Sequence, residues 1–107
     1  MSENIEYEEF FIPQEVLNSD SLVIVDVRTE EEYEFGHIED SLNIPLHELP
    51  YNHEHLRQFD NVVVICKSGI RSEHAMMFLK EAGFPRVYNG GGWDYFAAMS
   101  GQNGSTD

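Results

Sequence analysis

The chain contains one cysteine, one tryptophan and only six basic residues. It also lacks any long apolar run. A single cysteine excludes an intramolecular disulfide, and a structural zinc site needs several such ligands. A reducing compartment, the cytoplasm, is therefore the expected location. The six bases stand against twenty acids, for a net charge of -14. Phosphate backbones are held by basic patches, so nucleic acid is not an expected partner. No stretch is apolar over the length a bilayer demands, so no membrane role is expected either. Met1 to Glu6 has neither the basic region nor the apolar segment that opens a secretory signal. No internal repeat or low-complexity tract is visible.

At 107 residues the chain is expected to form one domain with a single core. Residues 1–11 read as an acidic lead-in, 12–100 as the domain, and 101–107 as a polar tail without fixed structure. The charge is uneven. Residues 1–60 carry sixteen acids against Arg28 and Arg57, whereas 61–107 balance four acids with Lys67, Arg71, Lys80 and Arg86. The acidic half reads first as a solvated surface, and alternatively as a docking face for a basic partner.

Pro13 suits the first turn of a short helix through Asn18. Residues 21–27 are apolar enough for a strand buried on both faces. Thr29 to Glu32 is a capping box opening a short helix that Gly36 ends. His37-Ile38 and Ser41 to Ile44 read as brief extended pieces, and 52–58 as another short helix. A strand follows at 62–65 and a helix at 72–82, with Ala75, Leu79 and Ala82 on its apolar face. Gly83 and Pro85 stop that helix. Residues 86–88 form a last strand, Asn89 to Gly92 a turn with unusual backbone angles, and 93–99 a final helix. Strands alternating with helices imply a mainly parallel sheet covered on both faces.

Cys66 ends the 62–65 strand and opens the run Cys66-Lys67-Ser68-Gly69-Ile70-Arg71-Ser72 before the next helix. In open α/β sheets ligands bind beyond the carboxyl ends of the strands. Gly69 lets the loop curl, and a curled loop can turn successive N–H groups inward as an anion-binding nest. The positive helix end, Lys67 and Arg71 all favour thiolate over thiol. Cys66 is therefore expected to be a nucleophile with a depressed pKa. The plainer alternative is a small buried core residue, which a glycine and two bases within five residues disfavour.

At these residues the chain resembles the single-domain rhodanese sulfurtransferases. Asp26-Val27-Arg28 before an acidic helix is similar to that family's first-strand signature. Gly36-His37-Ile38 with Ser41-Leu42-Asn43-Ile44-Pro45 resembles its middle motif, which commonly has alanine where Ser41 stands. Cys66 to Ser72 resembles its active-site loop, and Gly91-Gly92-Trp93 its late glycine-tryptophan turn. The resemblance implies a three-layer α/β fold: a mainly parallel sheet flanked by helices. It also implies a persulfide on Cys66, taken from a small anionic sulfur donor such as thiosulfate and passed to cyanide or a thiol, without a cofactor. A sulfur-accepting protein is a further partner this reading admits. Main-chain groups of Lys67, Ser68, Gly69, Ile70 and Arg71 would bind the substrate, with Lys67 and Arg71 attracting its oxygens. With no second cysteine, the persulfide must discharge to another molecule.

Phosphatases of the same fold place one more residue between cysteine and arginine than this chain's four, so sulfur transfer is favoured over a phosphatase or arsenate reductase. The charge of Lys67 resembles thiosulfate-type loops more than mercaptopyruvate-type ones. A binding or redox-sensing module that docks through its acidic face is the other alternative. Asp26 and Arg28 read as a structural pair or as supporting electrostatic groups. Trp93 reads as core, or as a wall of the pocket. His37 reads as a hydrogen-bonded structural residue, and His47, His53 and His55 are not expected to hold a metal. For His74, tuning the thiolate and facing solvent both stay open.

Overall fold

The computed structural model describes residues 12–101 and 104–105. In chain order its elements are α1 (Gln14–Leu17), β1 (Leu22–Asp26), α2 (Glu30–Phe35), β2 (His37–Ile38), β3 (Leu42–Asn43), β4 (Asn61–Cys66), α3 (Ile70–Glu81), β5 (Val87–Gly92), α4 (Trp93–Ser100) and β6 (Gly104–Ser105). Two 3-10 turns, Leu46–Tyr51 and Glu54–Gln58, precede β4. The apolar runs of β1 and β4 pair in parallel at the centre. With β3 and β5 outside them they form a four-stranded parallel sheet in the order β3–β1–β4–β5.

Side chains alternate across a strand, so β4 feeds two cores. Val62, Val64 and Cys66 face one side, with Val23 and Val25. Ala75 and Leu79 of α3 and Leu49 and Leu56 of the 3-10 turns cover them. Val63 and Ile65 face the other side, against Val16 of α1, Phe96 of α4 and Ile38 of β2. All six residues of β4 are buried. Each valine or isoleucine there contributes about 1.5–3 kcal/mol relative to exposure, which makes β4 the anchor of the sheet. The expected architecture, a parallel sheet with helices on both faces, is the one observed.

Local rules hold well in the first half. Thr29 caps α2 by accepting from the Glu32 N–H, and the Glu32 carboxylate accepts from the Thr29 N–H in return. Pro13 precedes α1 and Gly36 ends α2. The 3-10 turn at Leu46–Tyr51, with Pro50 inside it, was not expected from the sequence. The acidic lead-in of residues 1–11 lies outside the described residues. Of the tail expected to lack fixed structure, Gly104–Ser105 pairs antiparallel with β2 and so satisfies backbone groups on a free edge.

Two differences shape the site. α3 begins at Ile70, not Ser72, because Gly69 takes the left-handed conformation (φ 104°) and turns the chain in one residue. The connecting loop is therefore only Lys67 to Gly69, and Arg71 stands in the first helical turn. The expected turn at Asn89 to Gly92 is instead the last four residues of β5. There Gly91 (φ 81°) sits at a register shift opposite Ile65. Its neighbours are glycine because of crowding. A Cβ on Gly90 would lie 2.8 Å from Ile65 Cγ2, and one on Gly92 2.7 Å from the Lys67 carbonyl oxygen.

Candidate active site

Cys66 is the last residue of β4, on the sheet face that α3 covers. Strand alternation thus aims its sulfur at the start of that helix. The Gly69 N–H donates to Sγ at 3.0 Å and the Ser72 N–H at 3.3 Å, while Ser72 Oγ lies 3.4 Å away. The twelve-residue α3 adds the positive end of its dipole. Burial pushes the Cys66 thiol up, but the Ser72 hydroxyl and the N–H groups of Ser72, Gly69 and Ser68 outweigh it. The net direction is down from the ordinary thiol value. These surroundings favour thiolate over thiol relative to an ordinary cysteine. Cys66 is also completely covered by its surroundings.

The sequence does not mark Ser72 as a substrate-binding residue, nor Asn89 as a functional one. Ser72, Ala75 and Leu79 share the buried stripe of α3, so helical spacing brings the Ser72 hydroxyl under the sheet. Asn89, on β5 beside β4, is 2 % exposed and uses its whole amide. Its Oδ1 accepts from Ser72 Oγ at 2.7 Å and from the Gly91 N–H at 2.9 Å. Its Nδ2 donates to the Gly69 carbonyl and to Glu73 Oε1, each at 3.1 Å. An asparagine directly after a short apolar strand and before three glycines was the signal in the sequence that could have found it.

Arg71 spends its hydrogen bonds on α2, while its charge still acts on Cys66. Its guanidinium grips Glu32 of α2 with two bonds of 2.8 and 3.0 Å. The Arg71 bonds, partly opposed by burial and helped by the Thr29 N–H, hold the Glu32 carboxyl down at about 2. Placing Arg71 on the helix instead of in the loop is what lets it reach α2. Lys67, Ser68 and Ile70 are exposed at the mouth, and among the described residues Lys67 makes no ion pair.

Asp26, Arg28 and Trp93 come together as one brace. Arg28 makes a buried ion pair with Asp26 at 2.7 Å, donates to the Gly36 and Glu32 carbonyls, and lies 4.7 Å over the Trp93 ring. It ties β1 to the middle and the C-terminal end of α2 and so steadies the helix that carries Glu32. His37 stacks on Tyr33 and donates from Nδ1 to the Tyr33 carbonyl. His53 bonds the Leu49 carbonyl, and His74 is exposed on α3.

A family model described as a rhodanese-like domain matches residues 14–99. A sulfurtransferase of Allochromatium vinosum is 33% identical over 78 residues, 73% of each chain. YrkF of Bacillus subtilis, a proposed sulfur carrier protein, is 43% identical over 76 residues; the match spans 71% of this chain and 41% of that protein. The solved structure of a rhodanese with anions from E. coli superposes with a TM-score of 0.70 at 30% identity, covering 80% of this chain and 99% of that one. No helix among the described residues is long and apolar enough to cross a membrane. The family match takes in β4, Cys66 at its end and the helix α3 that covers it, and the chain belongs to the rhodanese-like domain family.

Proposed function

We propose that the protein moves sulfane sulfur from a small anionic donor such as thiosulfate to cyanide or a thiol, through a persulfide on Cys66. The observation that carries this reading is the pair of backbone N–H groups that converge on one buried sulfur at a helix start, with the Ser72 hydroxyl beside it. The Cys66 thiolate attacks the outer sulfur of thiosulfate. A new S–S bond forms, the old one breaks, and sulfite leaves with its electron pair. The same donors then hold the terminal sulfur of the persulfide. An acceptor thiolate or cyanide attacks that sulfur and restores the Cys66 thiolate, in two displacement steps. Because Arg71 is held by Glu32, Lys67 is the cation left to meet the donor's oxygens. Residues 12–100 would act as the working unit, in a compartment reducing enough to keep the thiol free.

Complete cover of Cys66 and the commitment of Arg71 to Glu32 favour one competing reading: a domain that docks partners and seldom uses its thiol. Intact mass spectrometry after incubation with thiosulfate separates the two. A gain of one sulfur, about 32 Da, in wild type and not in Cys66→Ser supports transfer. No gain in either protein overturns it.

A further inference from the structure

The hydrogen positions around Ser72 follow from the donors and acceptors that surround Asn89. The Gly91 N–H can only donate, so the Asn89 atom facing it at 2.9 Å is the oxygen. The Gly69 carbonyl can only accept, so the atom facing it at 3.1 Å is the amide nitrogen. An amide oxygen carries no hydrogen. The 2.7 Å contact between Asn89 Oδ1 and Ser72 Oγ must therefore contain the Ser72 hydroxyl proton. That proton points away from Cys66. What Ser72 presents to the sulfur, 3.4 Å away, is a lone pair, which suits a thiol S–H and repels a thiolate.

We infer that Asn89 is a positioning residue for the Cys66 sulfur: it holds the Ser72 hydroxyl proton while Cys66 is a thiol and yields it when the sulfur becomes an anion. When the thiol proton leaves to solvent, the Ser72 O–H turns about its Cβ–Oγ bond and donates to the sulfur. No bond to oxygen breaks, and Asn89 Oδ1 keeps the Gly91 N–H. The anion thus gains a third donor by breaking a short hydrogen bond. Asn89 sets that opposing cost, and with it the pH at which the sulfur ionises. Its other two bonds, to Gly69 and Glu73, keep the amide from following the hydroxyl.

Other charged side chains lie on the elements packed around this group. Asp26 and Arg28 come from β1, Glu32 from α2, and Lys67, Arg71 and Glu73 from the loop and α3. None is changed in the variants below, and any effect Asn89 has through Glu73 or the Gly69 carbonyl appears whether or not Ser72 has its hydroxyl. Comparing Asn89→Ala in two backgrounds isolates the hydroxyl.

The test is the rate of alkylation by iodoacetamide against pH for wild type, Asn89→Ala, Ser72→Ala and the double variant. In Asn89→Ala the hydroxyl is free to serve the anion. Relative to Ser72→Ala and the double variant, its midpoint is expected to fall by about 0.5 to 1 pH unit more than the brace effect alone gives. Equal shifts on removing Asn89 with and without the Ser72 hydroxyl would leave Asn89 a brace only and overturn the inference. Should Asn89→Ala fail to fold, the infrared S–H stretch of wild type against Ser72→Ala decides. A band that moves to higher frequency in Ser72→Ala shows that the thiol donates to Ser72; an unmoved band overturns the inference. The inference takes Cys66 as the reacting sulfur, as proposed above, but alkylation needs no sulfane sulfur. A protein that meets these expectations and takes up no sulfur from thiosulfate refutes the transfer reading alone.

Discussion

Replacing Glu32 with glutamine removes one charge and leaves the shape of the site. Glutamine at this position can still reach back to the Thr29 N–H, so the cap of α2 is retained and the change isolates the bond to Arg71. The carboxyl is held at about 2 against an ordinary 4.5. A shift of that size corresponds to about 3 kcal/mol at full value. Both side chains are about one-third exposed, so solvent screening cuts the figure. A cost of about 1–2 kcal/mol at neutral pH is the expected remainder, or a fall in Tm of roughly 4–16 °C for a domain of this size. The sign with pH follows from a folded-state pKa below the unfolded one. The stabilisation is fully present above pH 4.5 and is lost as pH falls toward 2. Urea unfolding of wild type and Glu32→Gln at neutral pH and at about pH 3 should therefore show a gap that narrows in acid. A double-mutant cycle with Arg71→Met should assign most of the gap to the pair. A gap that is absent at neutral pH, or does not change with pH, refutes the reasoning. The same variant releases Arg71 beside the mouth, so KM for thiosulfate should fall. An unchanged KM would mean that Arg71 does not bear on the donor.

The remaining expectations concern the sulfur and its surroundings. The pH profile of wild-type alkylation should rise earlier than that of a free cysteine, since hydrogen bonds outweigh burial; a midpoint at or above about 8.5 would contradict this. A bulky reagent should react far more slowly than iodoacetamide relative to free cysteine, because Cys66 is fully covered; equal ratios would mean an open mouth. Gly92→Ala places a Cβ 2.7 Å from the backbone of Lys67 and should cost about 1–3 kcal/mol in chemical unfolding while also slowing sulfur transfer; a neutral result would show the loop can retreat freely. With Arg71 paired to Glu32, Lys67 is the exposed loop cation without an ion pair among the described residues of a negative protein. Raising inert salt from about 0.01 to 0.15 M should leave kcat/KM for thiosulfate level or higher, and a steep fall would mean local bases dominate steering.

The parts of the molecule that short-range chemistry specifies were legible before the fold was seen. The Thr29–Glu32 box spans one helical turn, so residue types and spacing suffice to describe it. The unbroken apolar runs of β1 and β4 announce burial on both faces, and the position of Cys66 at a strand end before a glycine announces the nest. The partners of the site's polar groups were not legible. Glu32 served one local role in the sequence and a second across 39 residues, to Arg71, a partner that charge alone does not single out among the many acids. Asn89 reaches Ser72 across 17 residues only because β5 lies beside β4 and its glycines let the sheet and loop close on each other. Starting α3 two residues early turned Arg71 from the loop toward α2, a change too small for propensity to register. Periodicity tells which face a residue occupies. Which groups meet on that face depends on strand order and on distances of a few ångströms between elements, and those are set when the whole chain packs.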